Sequence, residues 1–367
     1  MNGPITRDAL QLVPSRWDSD EDDVLICCQV RQETHDVKSF LFRPRSPGLI
    51  RFLPGQFLTL ELEVDGETVN RCYTISSPPT RPDTLSITVK RVPGGKVSNW
   101  LHDHLVPGMS LRALGPNGDF SCALHPAGKY LFLSGGSGIT PLMSMSRSFH
   151  DLGEDRDVVF VHSARTPTDI IFRRELGLVA ANQPHFRTAF VCEGRGGEAE
   201  WAAPTGYLDL QLLARIAPDF AEREVFCCGP APYMAAVRAL LIEGGFDMAR
   251  YHEESFSFAD LPGEPADEDA ASAGVTACKA VGFSVEFSKS GHTVACAPGQ
   301  KVLEAARVAG LRLPSSCAKG MCGTCKSRLV SGEVHMEHGG GIRQREIDQG
   351  YILPCCSTPL SDLVIER

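Results

Sequence analysis

Cys317-Ala-Lys-Gly-Met-Cys322-Gly-Thr-Cys325, followed thirty residues later by Cys355, has the C-x4-C-x2-C…C spacing that ligates a plant-type [2Fe–2S] cluster. Three thiolates at i, i+5 and i+8 cannot share a helix face, so this segment has to be a loop. Gly320 and Gly323 let its backbone wrap two irons, and the fourth ligand arrives from a distant strand. Zinc is the main competitor, but its sites usually show paired short C-x2-4-C hooks, and only Cys322 and Cys325 form one here. A disulfide framework ranks lower still. Fourteen cysteines lie in a chain whose start does not read as a signal peptide and whose other motifs are enzymatic. Cys356 is read as a spare thiol, because Cys355 stands at the usual distance from Cys325.

At 367 residues the chain is too long for one core and predicts two to three domains. Apolar content of 43% and charged content of 22% are those of an ordinary globular protein. No apolar run approaches the roughly 20 residues of a membrane helix, so a soluble, cytoplasmic protein without a membrane partner is expected. The net charge of −9 is unevenly placed: Met1–Asp23 carries six acidic and two basic residues, and Glu253–Asp269 seven acidic and none basic. Both stretches are expected to be solvated, mobile segments. No basic stripe interleaved with aromatics supports nucleic-acid binding.

Short β-branched and apolar segments separated by Pro, Gly, Asn and Asp turns run through Val24–Val30, Ser39–Arg43, Gln56–Glu63, Cys72–Ser76, Leu85–Val92 and Ser110–Ala113. That spacing predicts an antiparallel β-barrel over residues 24–126, behind an acidic tail at 1–23, with one helix at Val97–Leu105 that Ser98 could cap. From residue 127 to 258 apolar strands alternate with helical stretches, the first helix starting at Pro141, which predicts an α/β domain with a parallel sheet and helices on both faces. Residues 259–277 have linker composition. A third unit, 278–367, opens with strand Gly282–Phe287, a second strand at His292–Cys296 and helix Val302–Gly310 before the cysteine loop.

Arg71-Cys72-Tyr73-Thr74 closes a strand, and Gly95-Lys96-Val97-Ser98 opens a helix. A flavin needs an aromatic wall for its ring, a cation and a hydroxyl for its phosphate, and backbone N–H groups at a helix start for its pyrophosphate. Tyr73, Arg71 and the Gly95–Ser98 turn could supply these, although each motif alone is equally a surface pattern or a plain turn. Strand Tyr130–Leu133 then runs into Ser134-Gly135-Gly136-Ser137-Gly138-Ile139-Thr140-Pro141, where Thr140 could cap and Pro141 suits the first helical position. This turn is placed to bind a dinucleotide pyrophosphate, although Pro141 replaces the third glycine of G-x-G-x-x-G. The next strand ends in Arg165 and shows no acidic ribose ligand, so NADH against NADPH stays open. Cys227-Cys228-Gly229-Pro230 ends a later strand, and a thiol there could meet a nicotinamide or simply be buried. Glu254 and Phe256 are candidates for the flavin's second face.

Taken in order, Arg-x-Tyr-Thr, Gly-x-x-Ser, Gly-Gly-x-Gly-Ile-Thr-Pro, Cys-Gly-Pro and the cysteine set resemble the ferredoxin–NADP reductase superfamily with a C-terminal plant-type ferredoxin domain. Nearly the whole chain takes part. Within that superfamily it is most similar to reductase components of Rieske-type monooxygenases that demethylate glycine betaine and related quaternary amines, with hybrid-cluster protein reductases as close architectural relatives. Asp18–Asp23, Glu33–Val37 and Lys90–Leu101 carry that particular likeness. The resemblance implies an antiparallel β-barrel flavin domain, an α/β nucleotide domain and an α+β, β-grasp ferredoxin domain. It implies that Arg71, Tyr73, Thr74 and Ser98, with Gly95, Lys96 and Val97, hold FAD rather than FMN. Gly135, Gly136, Gly138, Thr140, Gly229 and Pro230 would serve the nicotinamide nucleotide, with Cys228, Glu254 and Phe256 catalytic. Cys317, Cys322, Cys325 and Cys355 would ligate the cluster.

A nicotinamide gives two electrons at once and a cluster accepts one, so a flavin has to stand between them. Plant-type clusters lie near roughly −400 mV and Rieske centres at about −150 to +300 mV, which makes transfer to a Rieske-type oxygenase downhill. Two other readings compete: an NAD(P)H-dependent reductase of a hybrid-cluster protein or a desaturase, and an iron–sulfur redox sensor. The sensor would need neither a flavin barrel nor a nucleotide domain.

Overall fold

The computed structural model describes residues 16–19, 21–255, 282–311, 313, 315 and 318–367. Strands β1 (Val24–Thr34), β2 (Val37–Pro44), β3 (Phe57–Val64), β4 (Glu67–Thr74), β5 (Leu85–Lys90) and β6 (Ser110–Asn117) form an antiparallel sheet in the order β4-β3-β6-β1-β2-β5. The sheet closes where Ile75, just past β4, bridges to Ile87 of β5, and Ser76 N–H donates to the Ser86 carbonyl at 2.7 Å. The barrel expected from strand spacing is therefore present. Along β2 the buried Phe40, Phe42 and Pro44 alternate with half-buried Leu41 and exposed Arg43. Helix α1 (Lys96–His104) lies between β5 and β6.

The acidic start departs from its expectation over 16–19 and 21–23. Trp17 is buried and its backbone N–H donates to the Leu49 carbonyl, while Asp23 is buried against Arg112 at 2.8 Å. An indole worth burying and a carboxylate with a guanidinium partner outweigh the local acidity that suggested a solvated tail. Residues 1–15 and the whole of the Ala259–Thr276 linker region lie outside the described residues.

The second sheet is parallel, in the order β11 (Tyr251–Ser255), β10 (Glu224–Gly229), β7 (Lys129–Gly135), β8 (Asp157–Ala164), β9 (Phe186–Cys192). Helices α2 (Ile139–Leu152) and α3 (Arg173–Asn182) pack their apolar residues on one face, and α4 (Leu210–Ile216) and α5 (Ala231–Glu243) on the other. The strand order reverses between β7 and β10, and ligands of such sheets bind at the carboxyl ends of the strands at that reversal. The fully buried Arg223 side chain fixes the opposite end, bridging Asp157 and Asp219 at 2.9 Å each.

The C-terminal region adds a mixed five-stranded sheet, β13 (His292–Cys296), β12 (Phe283–Phe287), β18 (Leu363–Glu366), β14 (Ser327–Ser331) and β16 (Tyr351–Ile352). Beside it pair β15 (Val334–Met336) and β17 (Ser357–Pro359), with helices α6 (Val302–Val308) and α7 (Gln344–Asp348). Contacts divide the described chain into two compact units: 16–57, 73–91 and 101–255 form one, and 58–72, 92–100 and the region from 282 onward form the other. Most of β3 and β4 thus belongs with the cysteine loop.

Candidate functional site

In the first unit β7 runs into a 3-10 turn, Gly136–Gly138, and then into α2, which starts at Ile139 and not at Pro141. Thr140 is not the cap. It is buried in the first turn, and its Oγ1 donates to the Ser137 carbonyl at 3.1 Å, while Gly138 occupies the N-cap position without a side-chain bond. Gly138 is needed for packing, because a Cβ there would lie 2.2 Å from the Cys228 carbonyl oxygen at the end of β10. Gly135 and Gly229 both face the Tyr233 ring, and Pro230 caps α5. Space remains open only at Gly136 among the three turn glycines, so the pyrophosphate cradle fits there, over the N–H groups that start α2.

Cys228 and Glu254 are register partners on β10 and β11. Burial, with Glu254 and Cys227 beside it, pushes the Cys228 thiol well above its usual range, so it stays protonated. Burial likewise pushes Glu254 up to about 8, and its Oε2 has no hydrogen-bond partner. A neutral carboxyl with an idle oxygen at the sheet's carboxyl end is the kind of group a bound ring system would satisfy. Thr74, at the end of β4, has the same property: it is buried and its Oγ1 is unpartnered. Both orphans fit a flavin nearby. Phe256 lies outside the described residues.

Gly95, Lys96 and Val97 open α1 as expected, but Ser98 is not its N-cap. Buried one turn in, Ser98 Oγ accepts from Val92 N–H at 3.2 Å and donates to the Gly95 carbonyl at 3.4 Å. It closes the glycine turn instead of facing outward.

In the second unit Cys322, Cys325 and Cys355 are all buried, while Cys317 lies outside the described residues. The Cys325 thiol donates to Cys355, which holds Cys355 far below and Cys325 far above the ordinary thiol range. Buried cysteine side chains brought this close, one of them favoured as a thiolate, fit the ligand set of an iron–sulfur cluster. Cys356 is not idle in packing: its Sγ would stand 2.7 Å from a Cβ on Gly320, whose φ is +70°.

Sequence reasoning missed what holds this loop. Thr59 Oγ1 of β3 donates to the Cys322 carbonyl at 2.7 Å, and Asn70 Nδ2 of β4 to the Gly323 carbonyl at 3.2 Å. Cys72 Sγ lies 3.7 Å from the Cys322 carbonyl oxygen and 3.9 Å from Thr324 Oγ1. Beside them Lys326 Nζ reaches Glu61 at 3.3 Å and Glu346 at 2.6 Å, and the buried Arg343 reaches Glu346 at 3.2 Å and Glu61 at 3.9 Å. Two carboxylates and two cations form a closed, mostly buried network. The alternation of Thr59 and Glu61 on β3, and of Asn70 and Cys72 on β4, was the available signal.

Three family models match the chain: an oxidoreductase FAD-binding domain over 27–122, an oxidoreductase NAD-binding domain over 132–239 and a 2Fe-2S iron-sulfur cluster binding domain over 285–360. The glycine betaine monooxygenase reductase subunit of Pseudomonas aeruginosa is 51% identical over 93% of this chain and 94% of its own length. The stachydrine N-demethylase reductase subunit of Rhizobium meliloti is 43% identical over 93% of this chain and 96% of its own. Among solved structures, phthalate dioxygenase reductase, described as modular for electron transfer from pyridine nucleotides to [2Fe-2S], matches 96% of this chain and 100% of its own with TM-score 0.56 and 25% identity. Among the described residues no helix is long and apolar enough to cross a membrane.

Proposed function

Given that the chain belongs to the family of FAD- and NAD-dependent iron–sulfur reductase subunits of monooxygenases, we propose that it carries electrons from NADH to a Rieske-type oxygenase that demethylates glycine betaine or a related quaternary amine. Two near relatives bear demethylase-type or glycine betaine names, which supports the substrate class.

FAD when bound supplies the conversion of a hydride pair into single electrons for the cluster. Arg71 and Tyr73 project from one side of β4, Asn70 and Cys72 from the other. That alternation carries the reading: the side bearing Arg71 and Tyr73 would hold the flavin, while the opposite side already holds the cluster loop through Asn70 and Cys72. Cys228 and Glu254 would line the nicotinamide side. Glu254 keeps its proton at neutral pH and can hydrogen-bond through Oε2, while the buried Cys228 thiol excludes water.

Preference for NADH over NADPH is supported by Arg165 at the end of β8, where an arginine could receive a 2′-phosphate. Its guanidinium is engaged by Asp36 at 3.4 Å and Asp169 at 3.3 Å, so an incoming phosphate dianion would meet two carboxylates.

Anaerobic titration with NADH and separately NADPH tests this, with flavin bleaching read by absorbance and the reduced cluster by EPR. Expected are flavin bleaching and a rhombic cluster signal with NADH, and kcat/KM at least about tenfold lower with NADPH, a gap of about 1.4 kcal/mol. The pair Asp36→Asn and Asp169→Asn should narrow that gap. Bleaching without a cluster signal would end the electron-path reading, and equal use of both nucleotides would end the Arg165 argument.

A further inference from the structure

Away from the nucleotide loop, at the amino ends of the central strands, three metal-binding side chains converge. Glu224 opens β10, and Phe226, two residues on, is the register partner of His252 on β11. Period-two alternation therefore puts the Glu224, Phe226 and His252 side chains on one face. His125 reaches the same place from the connector between barrel and parallel sheet. Its carbonyl accepts from Tyr130 Oη at 3.2 Å, and the same hydroxyl accepts from Ala127 N–H at 2.7 Å. The His125 and His252 rings stack with centroids 3.7 Å apart and planes 27° apart, and Phe226 packs 4.8 Å from His252. Glu224 Oε1 sits 2.6 Å from His252 Nε2.

We propose that His125, Glu224 and His252 form a binding site for a zinc-class divalent cation that ties the interdomain connector to the base of the nucleotide sheet. Two imidazoles and a carboxylate are the donor set of a three-ligand zinc site with a fourth position for water. One donor atom from each residue lies within 4.8 Å of the others. Bonds of about 2.0–2.1 Å in a tetrahedron require donors about 3.4 Å apart, a closure of up to about 1.4 Å that rotation of the imidazoles out of their stack would supply. All three groups are partly buried, and His252 and Glu224 side chains are only 16% and 15% exposed. Phe226 and the Tyr130 anchor restrain the site before a metal arrives. The ion would sit at the far end of the strands from the glycine turn, so its effect is on the connector and not on hydride transfer.

The test uses the cluster-loaded, flavin-loaded enzyme, with iron content confirmed so that the cluster cysteines are occupied. After equilibration with micromolar zinc and gel filtration, zinc per chain is measured by mass spectrometry and affinity by calorimetry. Wild type should hold one more zinc than His125→Ala/His252→Ala, and zinc should raise the melting temperature of wild type alone. Glu224→Gln, which keeps size and shape, should bind about 10–100-fold more weakly and covers the case in which the double variant does not fold. Equal zinc content and equal affinity in wild type and Glu224→Gln, or no zinc retained by wild type, would overturn the site.

Discussion

Glu254 is an acid that folding keeps protonated. Burial raises it from 4.5 to about 8, so between those values the unfolded chain has lost the proton and the folded chain has kept it. Each pH unit across that window costs the fold about 1.36 kcal/mol, or about 3 kcal/mol at pH 7, and above about pH 8 the cost stops growing. Its register partner Cys228 is buried as well and offers no countercharge. Glu254→Gln should therefore melt higher than wild type at pH 8 and nearly the same at pH 4.5. If Glu254 also meets the cofactors, the variant should slow flavin reduction by NADH about tenfold or more. Melting curves at the two pH values and stopped-flow reduction separate the two roles. A variant with unchanged pH dependence of melting would show that Glu254 is ionised in the fold, and one with wild-type hydride transfer would remove it from the site.

At the scale of elements, the proposed function gives the β3–β4 hairpin two jobs, and only one of them could be read from the sequence. Arg71-x-Tyr73-Thr74 announces a cofactor strand because its residue types match a flavin's needs in order. Thr59, Glu61 and Asn70 announce only a shared polar face by their alternation, and not what it meets, since their partners Cys322, Lys326 and Gly323 stand more than 250 residues away and no local rule links them. The cysteines expected to ligate the cluster stand out in the sequence for the opposite reason: the chemistry of a [2Fe–2S] cluster sets the close spacing of Cys317, Cys322 and Cys325. The N-terminal turns of α1 and α2 were misjudged because Ser98 and Thr140 have cap-type side chains that tertiary packing turned inward. The network around Lys326 gives the hairpin's second job a test. Glu61→Lys would set a third cation beside Lys326 and Arg343 at a side chain only 15% exposed, where an unpaired charge is costly. Cluster reduction should slow about tenfold or more while NADH bleaches the flavin at the wild-type rate, and the swap Glu61→Lys/Lys326→Glu should restore it. Stopped-flow traces at flavin and cluster wavelengths read both steps; an unaffected Glu61→Lys variant would mean the clasp does not govern transfer.

For the whole molecule, the question is whether electrons leave the cluster from the clasped position or only after the C-terminal region is released. The clasp holds the cluster loop on the β3–β4 hairpin through hydrogen bonds from Thr59 and Asn70. Delivery to an oxygenase needs the cluster accessible to a second protein, and a release step would use the stretch 259–277, whose composition is that of a linker. A linker of that composition and length is expected to have a root-mean-square span of about 24 Å, and one half as long about 17 Å. Deleting 266–275 should therefore leave NADH-to-flavin reduction at the wild-type rate and slow reduction of an external acceptor about threefold or more. The acceptors to compare are ferricyanide, small enough to reach a clasped cluster, and a Rieske-type oxygenase, which is not. Slowing with the oxygenase alone would mean that release is part of delivery. Equal rates with both acceptors in the shortened and full-length chains would mean that the clasped cluster already presents a face to its partner, and that the linker only keeps the C-terminal region at high local concentration.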